Sequence, residues 1–112
     1  MSGELGYFTL PVRDVDAGMR FYEALFGWRF NREGDNYAHA ENTASPAGGI
    51  ARSDSTTIDA WFRVDDIQKA TALVRGLGGT AEVPSESASG WGSACTDDQG
   101  TKFNLWQPAP GF

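Results

Sequence analysis

Asp59, Trp61 and Arg63 stand two residues apart along the stretch 58–66. Alternate side chains of a strand point to opposite faces. An acid, an indole and a guanidinium therefore share one side, while Ala60, Phe62 and Val64 share the other. The second side is core. The first suits a small molecule: the carboxylate pairs with a cation or accepts from a hydroxyl, and the indole stacks on a planar group.

The same alternation extends the set. Tyr7 and Thr9 alternate with Phe8, Leu10 and Val12, and Lys102, Asn104 and Trp106 alternate with Phe103 and Leu105. The mixed aromatic and hydrogen-bonding group has the composition of a ligand pocket, and two indoles can sandwich a planar ligand. A plainer reading makes Trp61 and Trp106 plugs of a filled core and Asp59 the ion-pair partner of Arg63. The ligand face is the favoured one. Trp91, at a loop–strand edge, either lines its mouth or simply packs.

Other chemistries are poorly served. Cys95 is the single cysteine, so there is no intramolecular disulfide and no cysteine-based zinc cluster. Nothing beside it marks a lowered thiol pKa, so it reads as a buried inert thiol. His39 is the one histidine, which leaves no Ser/His/Asp set. Gly48–Gly49 and Gly78–Gly79 lack the Lys and Ser/Thr of a phosphate loop. The net charge of −6 argues against nucleic acid and anionic membranes as partners. No signal peptide and no apolar run of transmembrane length stand out. A reducing cytoplasm is the expected compartment.

The elements that must position these residues repeat. The first strand is expected over 6–12, then Asp14 as a helix N-cap, an apolar stripe Val15, Met19, Tyr22, Leu25 and Phe26, and Gly27 as terminator. Short strands are expected over 28–31, 37–41 and 50–52, with 45–49 a loop. The 58–66 stretch starts a second round: Asp66 caps, Ile67, Ala70, Leu73, Val74 and Leu77 form the stripe, and Gly78–Gly79 stops it. Strands follow over 80–83, 91–96 and 102–107, with 85–90 a polar loop. The rounds superpose at an offset of 52, the interval from Val12 to Val64, which also carries Asp14 onto Asp66 and Gly27 onto Gly79. The expectation is one α+β domain over 1–112, built from two tandem βαβββ modules, about 5–54 and 58–108. They would form a curved, incompletely closed sheet around a central cleft, with the helices on the outer face.

The runs Leu10-Pro11-Val12-Arg13-Asp14, Phe21-Tyr22 and Leu25-Phe26-Gly27-Trp28 resemble the first half of a vicinal-oxygen-chelate protein. That superfamily includes glyoxalase I, bleomycin-resistance proteins and extradiol dioxygenases. Phe62-Arg63-Val64-Asp65-Asp66 is similar to the start of its second module, and residues 97–107 to its closing turn and strand. The resemblance spans residues 5–108. It implies metal-ligand positions at Tyr7, Asp59 and Asn104, with Arg52 as the fourth by the repeat offset, or Ile50 if the alignment slips by two. Only Asp59 is an ordinary oxygen ligand, so no cofactor is expected and a divalent metal is the disfavoured alternative. Small members often form symmetric dimers, which implies a homodimer. The expected function is binding of an aromatic or cationic metabolite or antibiotic. The ligand-facing residues would be Tyr7, Thr9, Arg52, Asp59, Trp61, Arg63, Trp91, Asn104 and Trp106. The alternative is a lyase, isomerase or dioxygenase, with metal or with Asp59 and Tyr7 as acid–base groups.

Overall fold

The structure, a computed structural model, describes residues 3–112. It is α+β, with two helices and nine strands in mixed parallel and antiparallel pairing. The chain divides into two compact units. One is Tyr7–Asp59; the other is Ala60–Phe112 together with the described residues 3–6.

In the first unit, β1 (Leu5–Val12, entering at Tyr7) is followed by α1 (Val15–Phe26), β2 (Phe30–Arg32), β3 (Tyr37–Ala40) and β4 (Ala47–Arg52), with strand order β2-β3-β4-β1. β2, β3 and β4 form antiparallel neighbours, while β1 runs parallel to β4. Asp14 caps α1 by accepting from the Ala17 amide at 3.1 Å, and Gly27 ends it with φ 72°. A glycine is favoured there because the left-handed region crowds any β-carbon. The stripe Val15, Met19 and Tyr22 packs on Leu10, Val12, Phe30, Ala38 and Ile50, with Ile50 fully buried.

The second unit contains β5 (Asp59–Arg63, continuing from Ala60), α2 (Ile67–Gly76), β6 (Thr80–Ala81), β7 (Ser85–Ser87), β8 (Gly90–Thr96) and β9 (Lys102–Pro108). Its order is β5-β9-β8-β6, with β7 also on β8. Parallel β5 and β9 match the parallel β1 and β4 of the first unit. Asp66 accepts from the Gln68 and Lys69 amides, and the Gln107 side chain accepts from the Ile67 amide at 2.8 Å. The first turn of α2 is thereby satisfied from two directions. Ile67, Cys95 and Leu105 form the buried centre, flanked by Phe62, Val64, Ala70, Val74, Trp91 and Phe103. The N-terminal residues belong here: the Gly3 amide donates to Arg63 O, and the Arg63 amide to Glu4 O.

Two expected loops are strands. Residues 47–49 belong to β4 and 85–87 form β7. Glycine usually weakens a strand. Here the bare positions are what neighbours need. A β-carbon on Gly48 would lie 2.1 Å from the Phe8 ring, so the ring closes over that gap. No helix among the described residues is long and apolar enough to cross a membrane.

Candidate functional site

Register decides which side chains share a face. In the first unit Thr9 pairs with Gly49, and Gly49 with His39, while Tyr7 lies opposite Ala47 and Tyr37 opposite Ala51. Tyr7, Thr9, Tyr37, His39 and Gly49 thus occupy one face. The other holds Leu10, Val12 and Ile50 against α1.

This corrects two expectations. Val12 pairs with Arg52, so Arg52 and Ile50 lie on the face opposite Tyr7. Ile50 is core, and Arg52 is exposed and pairs with Asp54 at 3.2 Å. The cause is a shift in the repeat. Trp61 follows Thr9 by 52 positions, but its register partner Asn104 follows Gly49, the partner of Thr9, by 55. The second unit has three more residues between these paired positions of its first and last strands, so Gly49, not Arg52, is the counterpart of Asn104.

Gly49 is the centre of a small polar cluster. A β-carbon there would lie 2.6 Å from the Tyr37 hydroxyl oxygen, 2.9 Å from that of Tyr7 and 2.6 Å from the Ala38 carbonyl. β4 lies between β1 and β3, and its missing side chain lets their side chains lean together. The Tyr7 hydroxyl is 3.0 Å from His39 Nδ1, and the two rings are nearly parallel. The hydroxyl donates when Nδ1 is bare and accepts when Nδ1 is protonated. The Tyr37 hydroxyl has no hydrogen bond among the described residues. Burial pushes its pKa up to about 12, so it stays a donor at neutral pH. The sequence reading left His39 and Tyr37 out because their nearness to Tyr7 depends on pairing across β4.

In the second unit Trp61 pairs with Asn104 and Arg63 with Trp106, so all four share a face, as their alternation implied. Arg63 is anchored rather than free. Its guanidinium lies 5.3 Å from the centre of the Trp106 ring and 3.5 Å from Glu4, and its stem runs over Gly6. Glu4 thus takes the role expected of Asp59. Asp59 is the exposed first residue of β5. Trp106 Nε1 donates to Ser89 O at 3.0 Å, and Asn104 Nδ2 to Ala60 O at 3.4 Å. The Trp61 benzo ring stands over Gly92, but its Nε1 is buried with no hydrogen-bond partner among the described residues. Trp91 packs on the α2 side with Cys95 and Leu105, not at a mouth on the Trp61 face.

The donor chemistry at the family's metal positions does not fit a divalent cation. Tyr7 offers a phenol tied to His39, Gly49 offers no side chain, and Asn104 offers a neutral amide. Asp59 alone is an anionic oxygen donor of the ordinary kind.

The profile of the Glyoxalase-like domain family matches residues 7–106. The chain belongs to this family, within the vicinal-oxygen-chelate superfamily. No curated protein matches the sequence significantly. Among solved structures, a Streptomyces coelicolor methylmalonyl-CoA epimerase variant in complex with 2-nitronate-propionyl-CoA is similar at TM-score 0.69 and 15% identity, over 98% of this chain and 97% of that one. Methylmalonyl-CoA epimerase from Mycobacterium tuberculosis is similar at TM-score 0.65 and 17% identity, over 96% and 89%. Homoprotocatechuate 2,3-dioxygenase from Brevibacterium fuscum, in complex with 3,4-dihydroxyphenylacetate, is similar at TM-score 0.76 and 19% identity, over 96% of this chain and 37% of that one. At these identities the likeness is one of fold.

Proposed function

We propose that this chain is a small-molecule-binding member of the family, taking a planar aromatic ligand at the Trp61 face without a divalent metal. The observation that carries this is the buried Trp61 Nε1 with no acceptor among the described residues. An unsatisfied buried donor costs about 1–3 kcal/mol, and a ligand acceptor would relieve that cost. An aromatic ligand fits better than a cationic one. Arg63 already covers the Trp106 ring and places positive charge on the same face.

Titration of a panel of planar aromatic and cationic compounds, followed by tryptophan fluorescence, tests this. A saturable change is expected with aromatic members, weakened roughly threefold to tenfold in Trp61→Phe, the equivalent of one neutral hydrogen bond. No saturable response anywhere in the panel overturns the reading.

The Tyr7–His39 hydrogen bond favours a second reading, an acid–base enzyme of the lyase or isomerase type using Tyr7. Turnover of hemithioacetal substrates by metal-free protein would select it. We also propose a cytoplasmic homodimer. The exposed Phe21, Leu25 and Phe26 of α1, each more than half accessible, support self-association.

A further inference from the structure

We propose that the Trp61 face selects a neutral lactam, a planar aromatic ring with an N–H next to a C=O, and that the Asn104 side chain accepts from its N–H. The inference rests on the binding of a planar aromatic ligand at this face and deepens it by naming the ligand's class.

Asn104 stands beside Trp61 in the parallel pairing of β5 and β9. Its Nδ2 donates to Ala60 O at 3.4 Å. A backbone carbonyl only accepts, so this contact fixes which way the amide is turned. The partly buried Asn104 then presents Oδ1 as an acceptor with no donor among the described residues. Trp61 Nε1, on the same face, is a donor with no acceptor among the described residues. Paired residues of neighbouring strands thus offer one unmatched acceptor and one unmatched donor. A lactam edge carries the complementary pair, an N–H for Oδ1 and a carbonyl for Nε1, and its flat ring suits an indole wall.

There is room beside Asn104. Its partner on β8 is Ala94, which is exposed, and the next pair on that face is Gly92 with Trp106. Charge argues for a neutral ligand. Arg63 is paired with Glu4 and lies over the Trp106 ring. A cation would meet like charge there, and an anion would compete with a carboxylate already in place. An anion beside Asn104 would also face the Oδ1 lone pairs. Lys102, the one cation of β9, is exposed at the start of that strand.

Quinolin-2-one, its N-methyl derivative and quinoline-2-carboxylate are titrated separately against the intact chain, with indole and side-chain amide NMR signals followed. Trp61→Phe identifies the Trp61 signal among the four indoles. Quinolin-2-one should move the Trp61 indole and Asn104 amide signals saturably. It should bind about threefold to tenfold more tightly than the N-methyl derivative, the equivalent of one neutral hydrogen bond. Asn104→Leu should abolish that preference; if the variant fails to fold, the wild-type preference and signal shifts decide alone. Equal affinities for the lactam and its N-methyl derivative, or a preference that persists in Asn104→Leu, overturn the lactam assignment. Saturable binding at the Trp61 signal would then leave the aromatic reading standing. Tighter binding of the carboxylate overturns the assignment in favour of an anion. No saturable response to these compounds or to the aromatic panel sinks both.

Discussion

At the residue scale the decisive position is Gly49, which acts through a side chain it lacks. Any β-carbon there meets the Tyr7 and Tyr37 hydroxyls and the Ala38 carbonyl. Gly49→Ala is therefore expected to destabilise the chain by roughly 1–3 kcal/mol, the usual range for overpacking. It should also break the Tyr7–His39 contact, visible as a shifted His39 ring signal beside a lowered denaturation midpoint. An unmoved His39 signal would refute this account of the cluster. Tyr37 carries a pH signature. Its folded pKa, raised to about 12, exceeds the ordinary value of 10.0, so the unfolded chain loses that proton first. Its contribution is intact below pH 10 and is lost as pH rises toward 12. Ultraviolet titration should show a late tyrosine ionisation, and Tyr37→Phe should remove that step. The residue set was half legible in the sequence. Asp59, Trp61, Arg63, Asn104 and Trp106 follow from period-two alternation, whereas Tyr37 and His39 enter only through pairing with β4.

Turns and caps govern the elements. The caps Asp14 and Asp66 were readable because a carboxylate before an apolar stripe has a local job, satisfying amides two or three residues ahead. Asp66→Ala should cost about 1 kcal/mol in chemical denaturation. A cost near zero would show that the Gln107 contact at Ile67 suffices. Asp97 opens the turn between β8 and β9, accepting from the Gln99 and Thr101 amides at 2.8 and 3.0 Å. Those bonds hold its carboxyl below the ordinary carboxylate value. Its contribution is therefore present above the unfolded carboxylate pKa and is lost as pH falls through the lower folded value. Asp97→Ala should lower the melting temperature at neutral pH, and the difference from wild type should close in strong acid. A difference independent of pH would remove the charged form from the explanation. Strands 47–49 and 85–87 were not legible because glycine and serine read as turn formers, and only the partner strand shows what the small residues accommodate.

At the scale of the whole molecule, the two units share a plan and differ in where they put bulk. The first places Tyr37 and His39 on β3 and leaves Gly49 bare on β4; the second places Trp61 on β5 and Asn104 on β9 and keeps Gly92 and Ala94 small on β8. One repeat therefore presents phenols and an imidazole, and the other presents indoles and an amide. Self-association belongs at this scale. Light scattering at micromolar concentration should return a dimer mass, and Phe21→Glu on α1 should lower it; a monomer mass for the wild type would refute the proposal.

The sequence by itself determined the α+β class, the βα repeat, both helix caps and the family. Each rests on periodicity or on contacts a few residues apart. Only the tertiary structure decided the alignment of the last strands, the placement of Arg52 and Trp91 with the helix faces, and the meeting of Tyr7 with His39 across Gly49. A three-residue difference in the span from first to closing strand leaves local patterns intact. It changes every partner across the strand pair, because register is set by packing against distant residues.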